Sequence, residues 1–128
     1  MEKTTEQKIE LVWDTVNYYS ENPSERRCKS YDGCVYSPTN ANKPNSEGCA
    51  VGRLLTDELK IKLDDVGIMG TVGVGEIFHE LPDDIRAYSQ YLLESLQSLH
   101  DRDDNWTPDG ISDEGEEYVK KIINTLMS

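Results

Sequence analysis

The chain has 128 residues, of which 36% are apolar and 30% charged, and its formal net charge is −12. This length suits one domain with a modest core, and periodic apolar runs argue against disorder despite the charge. No stretch approaches the roughly 18 consecutive apolar residues of a membrane span, and the negative charge opposes nonspecific binding to DNA or RNA.

The opening residues, MEKTTEQKIE, lack the apolar run of a secretory signal, so a cytoplasmic chain is expected. A helix is predicted from about residue 5 to residue 20. In it Ile9, Val12, Trp13, Val16 and Tyr19 recur at the spacing of one buried face. Thr4 with Gln7 suits a capping box, and Pro23 ends the run. SYDGCVYSP then reads as a short strand entered through an Asp32–Gly33 turn and stopped by Pro38, followed by the polar loop TNANKPNSEG. A second helix is expected from Asn45 or Ser46, burying Val51, Leu54, Leu55, Leu59 and Leu63.

GIMGTVGVGE is the most pliant segment, and it lacks the Lys-Ser/Thr ending of a phosphate loop. A short helix, EIFHEL, precedes Pro82. The longest helix is expected over residues 84–101, with Ile85, Tyr88, Leu92, Leu96 and Leu99 as its stripe. DRDDNWTPDG reads as an acidic turn, after which Ser112 caps a last helix with Tyr118, Val119, Ile122, Ile123 and Leu126 inward. The expected fold is therefore mainly α (α+β): one small domain, residues 1–128, of about four helices with a short β-hairpin before the second. Trp13, Val16, Leu54, Leu55, Leu92, Leu96, Val119 and Ile122 should share its core.

Charge is unevenly placed. Residues 1–25 hold two basic side chains against six acidic, residues 26–62 seven against four, and residues 63–128 four against fifteen. The start of the second helix, SEGCAVGR, lies in the one basic stretch. Unpaired N–H groups and the helix dipole favour an anion at such a start, and Gly48 beside Cys49 would let a ligand approach the main chain. Arg53 could fork onto a carboxylate or phosphate. Arg26, Arg27, Tyr31 and Tyr36 would complete a site for a small anionic or nucleotide-like ligand. The same residues read equally as packing, with Cys49 a small buried side chain and Arg53 paired to an acid.

Cys28, Cys34 and Cys49 are an odd number without an export signal, which suggests free thiols, and their spacing is not that of a zinc site. Two catalytic readings stand beside binding. Cys49 at a helix start could be a nucleophile with His100 as its base. Alternatively, His79 and His100–Asp101, with Asp104 or Asp109, could hold a metal for phosphate-ester hydrolysis, although His100 also suits a helix C-terminus as a structural residue. The sequence leans away from an enzyme, and no cofactor is implied.

With DGCVY, GCAVGRLL and LQSLHDRDDNW in view, the chain resembles small uncharacterised proteins of bacteriophage and bacterial genomes over roughly residues 28–106. The resemblance carries no activity and no catalytic residue. It implies a phage-borne protein at work inside a bacterial host cell. The expectation is an acidic binding protein that inhibits or redirects a host protein, such as a defence factor, with no membrane partner; a homo-oligomer stays open. Its acids could match a basic groove, or serve only as a solvated face.

Overall fold

The computed structural model describes residues 2–27, 29–30, 33–34, 49–56, 58–59 and 78–128. It is a mainly helical fold with short antiparallel hairpins. Helix α1 (Thr5–Ser20) begins as its sequence predicts: Gln7 N donates to Thr4 Oγ1 at 3.1 Å, and Thr4 N donates to Gln7 Oε1 at 2.8 Å. Asn22 caps the single turn α2 (Pro23–Arg26), whose proline occupies a position where no N–H is needed. Strands β1 (Lys29–Ser30) and β2 (Gly33–Cys34) follow, with Lys29 opposite Cys34 and Ser30 opposite Gly33.

After 3-10 turns at Gly52–Leu54 and Phe78–Glu80 come α3 (Asp83–Arg86) and α4 (Gln90–Asp101). A further 3-10 turn, Asp103–Asn105, leads into the hairpin β3 (Trp106–Thr107) and β4 (Gly110–Ile111). Helix α5 (Asp113–Met127) closes the chain, with Ser112 Oγ accepting from Gly115 N at 3.1 Å.

α4 lies between two parts of the core. Its Leu93 joins Cys49, Val51, Leu55, Leu81 and Ile85 on one side. Its Leu92, Leu96 and Leu99 join Val12, Val16 and Tyr19 of α1 and Val119 and Ile122 of α5 on the other. The polar end of α4 is also tied down. The Leu99 carbonyl, which has no partner within its helix, accepts from Asn105 Nδ2 at 3.1 Å and Trp106 Nε1 at 2.9 Å. Among the described residues no helix is long and apolar enough to cross a membrane.

Four local expectations are corrected. Trp13 is 49% exposed, because α1 buries Leu11, Val12, Thr15, Val16 and Tyr19 instead. At 100° per residue, Trp13 lies about 130° from the centre of that face. The second helix does not run through Leu54 and Leu55: Gly52–Leu54 is a 3-10 turn and Leu55 is extended (φ −107°, ψ 163°). Thr56 Oγ1 then accepts from Leu59 N at 3.3 Å, with Glu58 and Leu59 helical, so Thr56 takes the place of a helix cap.

The long helix is broken between Arg86 and Gln90, where Ser89 has φ 82° and caps Leu92 N. The break frees the Ala87 carbonyl to accept from Lys3 N at 2.9 Å. Finally, the acidic turn contains a hairpin built on TPDG: Asp109 N donates to Thr107 Oγ1, which donates to the Gly110 carbonyl. Cys28, Tyr31, Asp32, Tyr36, Gly48, Leu63, the TNANKPNSEG loop and the GIMGTVGVGE segment lie outside the described residues.

Candidate functional site

The arginine singled out by the sequence sits on α1. Its backbone N–H donates to the Cys49 carbonyl at 2.8 Å, closing the turn that aims its side chain. Arg53 Nη2 lies 3.1 Å from Asp14 Oδ2 and 3.3 Å from Thr15 Oγ1. Its guanidinium carbon is 5.1 Å from the centre of the Tyr18 ring, and Arg26 approaches the same ring at 4.6 Å. The fold thus gathers Arg53, Arg26 and Tyr18, and only the first two were legible as a pair of bases. Arg26 also binds the Glu21 carboxylate and the Tyr18 carbonyl.

Arg27 turns elsewhere. Its Nε donates to the His100 carbonyl at 2.7 Å and its Nη2 to Asp103 at 2.9 Å, fastening α2 to the negative end of α4. Among the described residues Cys49–Val51 are bend and turn and Gly52–Leu54 is a three-residue 3-10 turn, so no α-helix runs through Arg53 to lend it a dipole. One of the turn's donors, Val51 N, is taken by Gln97 Oε1 at 3.2 Å. What the turn offers is Arg53, already held by Asp14.

The catalytic candidates are not brought together. Cys49 is a free, fully buried thiol in the cluster that contains Leu93. Among the described residues no hydrogen bond joins Cys49 to His100, whose ring nitrogen Nδ1 is engaged by its neighbour on α4. The His100 ring is fully buried edge-on against Tyr19, centroids 5.0 Å apart, with Nδ1 2.7 Å from Asp101 Oδ1. Asp101 also accepts from Gln97 Nε2 at 3.1 Å, so Gln97, His100 and Asp101 form one polar strut. His79 is exposed beside Phe78 on a separate turn. Among the described residues no three His, Cys, Asp or Glu side chains come together to hold a metal ion.

A different surface emerges from the charges. Every described carboxylate side chain except Asp101 is exposed. Among the described basic side chains only Arg102, Lys120 and Lys121 are exposed. The others are half-buried and engaged: Lys8 with Glu2 at 2.7 Å, Arg27 with Asp103, Arg53 with Asp14, and Arg86 with Asp83. Lys3 lies over the Tyr88 ring. The hydrogen bond and positive charge of Lys8 hold the Glu2 carboxyl below its ordinary pKa. Among the described residues the solvent-facing charged side chains are therefore predominantly acidic.

Among the described residues an apolar opening of about 240 Å³ lies between α1 and α5, lined by Trp13, Val16, Ile111, Glu116, Val119 and Lys120. Sequence reasoning missed it because it assigned Trp13 to the core; the signal available was Glu6, Glu10 and Asn17 on the Trp13 side of α1. No family model, curated protein or solved structure matches this chain.

Proposed function

We propose that the chain is an acidic binding protein that occupies a basic surface of another protein, in the cytoplasm of a phage-infected bacterial cell, and so inhibits or redirects that host factor. The observation that carries the reading is the sorting of charge: acids face solvent, whereas most described bases are folded against the protein and paired. Such a field steers association with a positive surface and discriminates against negative ones. The resemblance to phage proteins supports the host setting. The test is affinity capture from a bacterial lysate followed by direct binding of the purified partner. One host protein should bind at fixed stoichiometry, with affinity falling steeply from about 0.05 to about 0.5 M salt. An affinity insensitive to salt would overturn the reading.

A second reading, capture of a small anion or nucleotide, is favoured by one arrangement: two guanidiniums on the Tyr18 ring. An anion would have to displace the Asp14 carboxylate from Arg53. Phosphate and nucleotides should then raise the thermal midpoint, and the shift should vanish in Arg53→Ala. No shift across a nucleotide panel leaves the cluster as packing.

A further inference from the structure

We infer that the α1–α5 groove is a docking site for a basic amphipathic helix of a partner protein. The inference rests on the acidic-binder reading and gives it a location.

The two helices run antiparallel. Gly110, just before α5, packs against the Ser20 carbonyl at the end of α1, while Trp13, two turns back, shares the groove with Glu116, Val119 and Lys120. Beyond the groove on α5, Ile123 is half-buried against the same core and Met127, one turn further, is 68% exposed. Along α5 the stretch from Glu116 to Met127 is about 17 Å, room for three turns of a helix laid beside it. Trp13, which lines the groove, is 49% exposed, a large apolar surface that the core does not use.

The rim says what kind of helix fits. Glu6, Glu10, Asp113, Glu116 and Glu117 stand exposed on the flanking sides of the two helices. Of the nearby bases, Lys8 is held by Glu2, and Lys120, exposed at the groove, pairs with Glu117 at 3.3 Å, which leaves Glu6, Glu10, Asp113 and Glu116 in excess. An apolar stripe between acidic rims complements a helix with apolar residues at i, i+3 or i+4, and i+7, flanked by Lys and Arg. A second copy of this chain would set the same acidic rim against itself, because a two-fold interface is self-complementary. Anionic lipid would be repelled for the same reason.

The probe is a synthetic Leu/Lys amphipathic peptide of roughly 18 residues, five helical turns, compared with a scrambled isomer of equal charge. Binding to the full chain is followed by the two indole N–H resonances in NMR, that of Trp13 being assigned by its loss in Trp13→Phe. The peptide should shift the Trp13 indole and leave that of Trp106 in place. Scrambling the peptide, Trp13→Ser and Glu116→Lys should each weaken binding by about tenfold or more; Glu116 is exposed, so its variant tests the rim without disturbing the core. If both peptides bind equally and the Trp13 indole does not move, the groove is not the site, while charge-driven binding survives. Failure of the amphipathic peptide to bind also overturns the groove, and leaves capture of a basic host protein to decide the broader reading. A Trp13-dependent dimer in sedimentation, or a Trp13 shift caused only by phosphatidylglycerol vesicles, would assign the face to another occupant and overturn the inference.

Discussion

Arg53 shows how a single side chain changes meaning once its neighbours are known. Read in sequence, it is either a fork for an anion at a helix start or the partner of an acid; in the fold, Asp14 and Thr15 hold one nitrogen, Tyr18 lies under the guanidinium, and Nε is buried without a hydrogen-bond partner among the described residues. Removing it takes away packing as well as charge, because the arginine stem covers apolar surface. Arg53→Ala should therefore lower stability by about 1–2 kcal/mol in urea denaturation, with or without phosphate. An unchanged midpoint would mean the cluster holds nothing together. Ser89 presents the opposite case. At φ 82° and ψ 149° it sits in a region that glycine alone adopts freely, while its hydroxyl caps Leu92 N at 3.3 Å. Glycine at a cap position costs only a few tenths of a kcal/mol, less than the strain it removes. Ser89→Gly should raise stability by about 0.5–1 kcal/mol, and Ser89→Ala, which keeps the strain and loses the cap, should lower it. Both are read from thermal midpoints.

Between elements, the contact that admits least change is that of α5 with the Asp103–Asn105 turn and β4. A Cβ at Gly115 would meet the Asn105 carbonyl oxygen and lie 2.6 Å from Ile111 Cγ1. Elsewhere in a helix, glycine to alanine gains about 1 kcal/mol of helix propensity. Here the clash involves backbone, so Gly115→Ala should instead destabilise by about 1–3 kcal/mol. A stabilised variant would show that α5 can slide away from the turn. Leu96, fully buried where α4 meets α1 and α5, tests the same packing from the core side. Leu96→Ala should lose about 2–5 kcal/mol, measured by chemical denaturation. Much of this level was legible: the capping box of α1, the cap and inner face of α5, and the α4 stripe all follow from local spacing. The break at Ser89 and the β3–β4 hairpin were not, since Lys3 bonds to Ala87 and Trp106 to Leu99 across long or unpatterned separations.

At the scale of the whole molecule the surplus of acids governs behaviour. Exposed ion pairs are individually weak, whereas a net charge of −12 repels itself throughout the folded surface. Added salt should therefore raise the thermal midpoint between about 0.01 and about 0.2 M, as screening reduces that repulsion. A falling midpoint would mean that the paired bases, rather than the surplus acids, dominate the electrostatics.

What the sequence determined by itself is what short-range physics can encode: a mainly helical chain, the caps of its first and last helices, the Leu92–Leu96–Leu99 stripe and its acidic balance. Only the tertiary structure decided how α1 is rotated, and so whether Trp13 is core or surface. The spacing of Ile9, Val12, Trp13 and Val16 allows either, and packing of Leu11 and Thr15 against the remaining helices settles it. Only the tertiary structure, likewise, placed His100 against Tyr19, Cys49 in the cluster with Leu81 and Ile85, and Arg53 on Asp14, because these relations depend on which faces of distant segments meet.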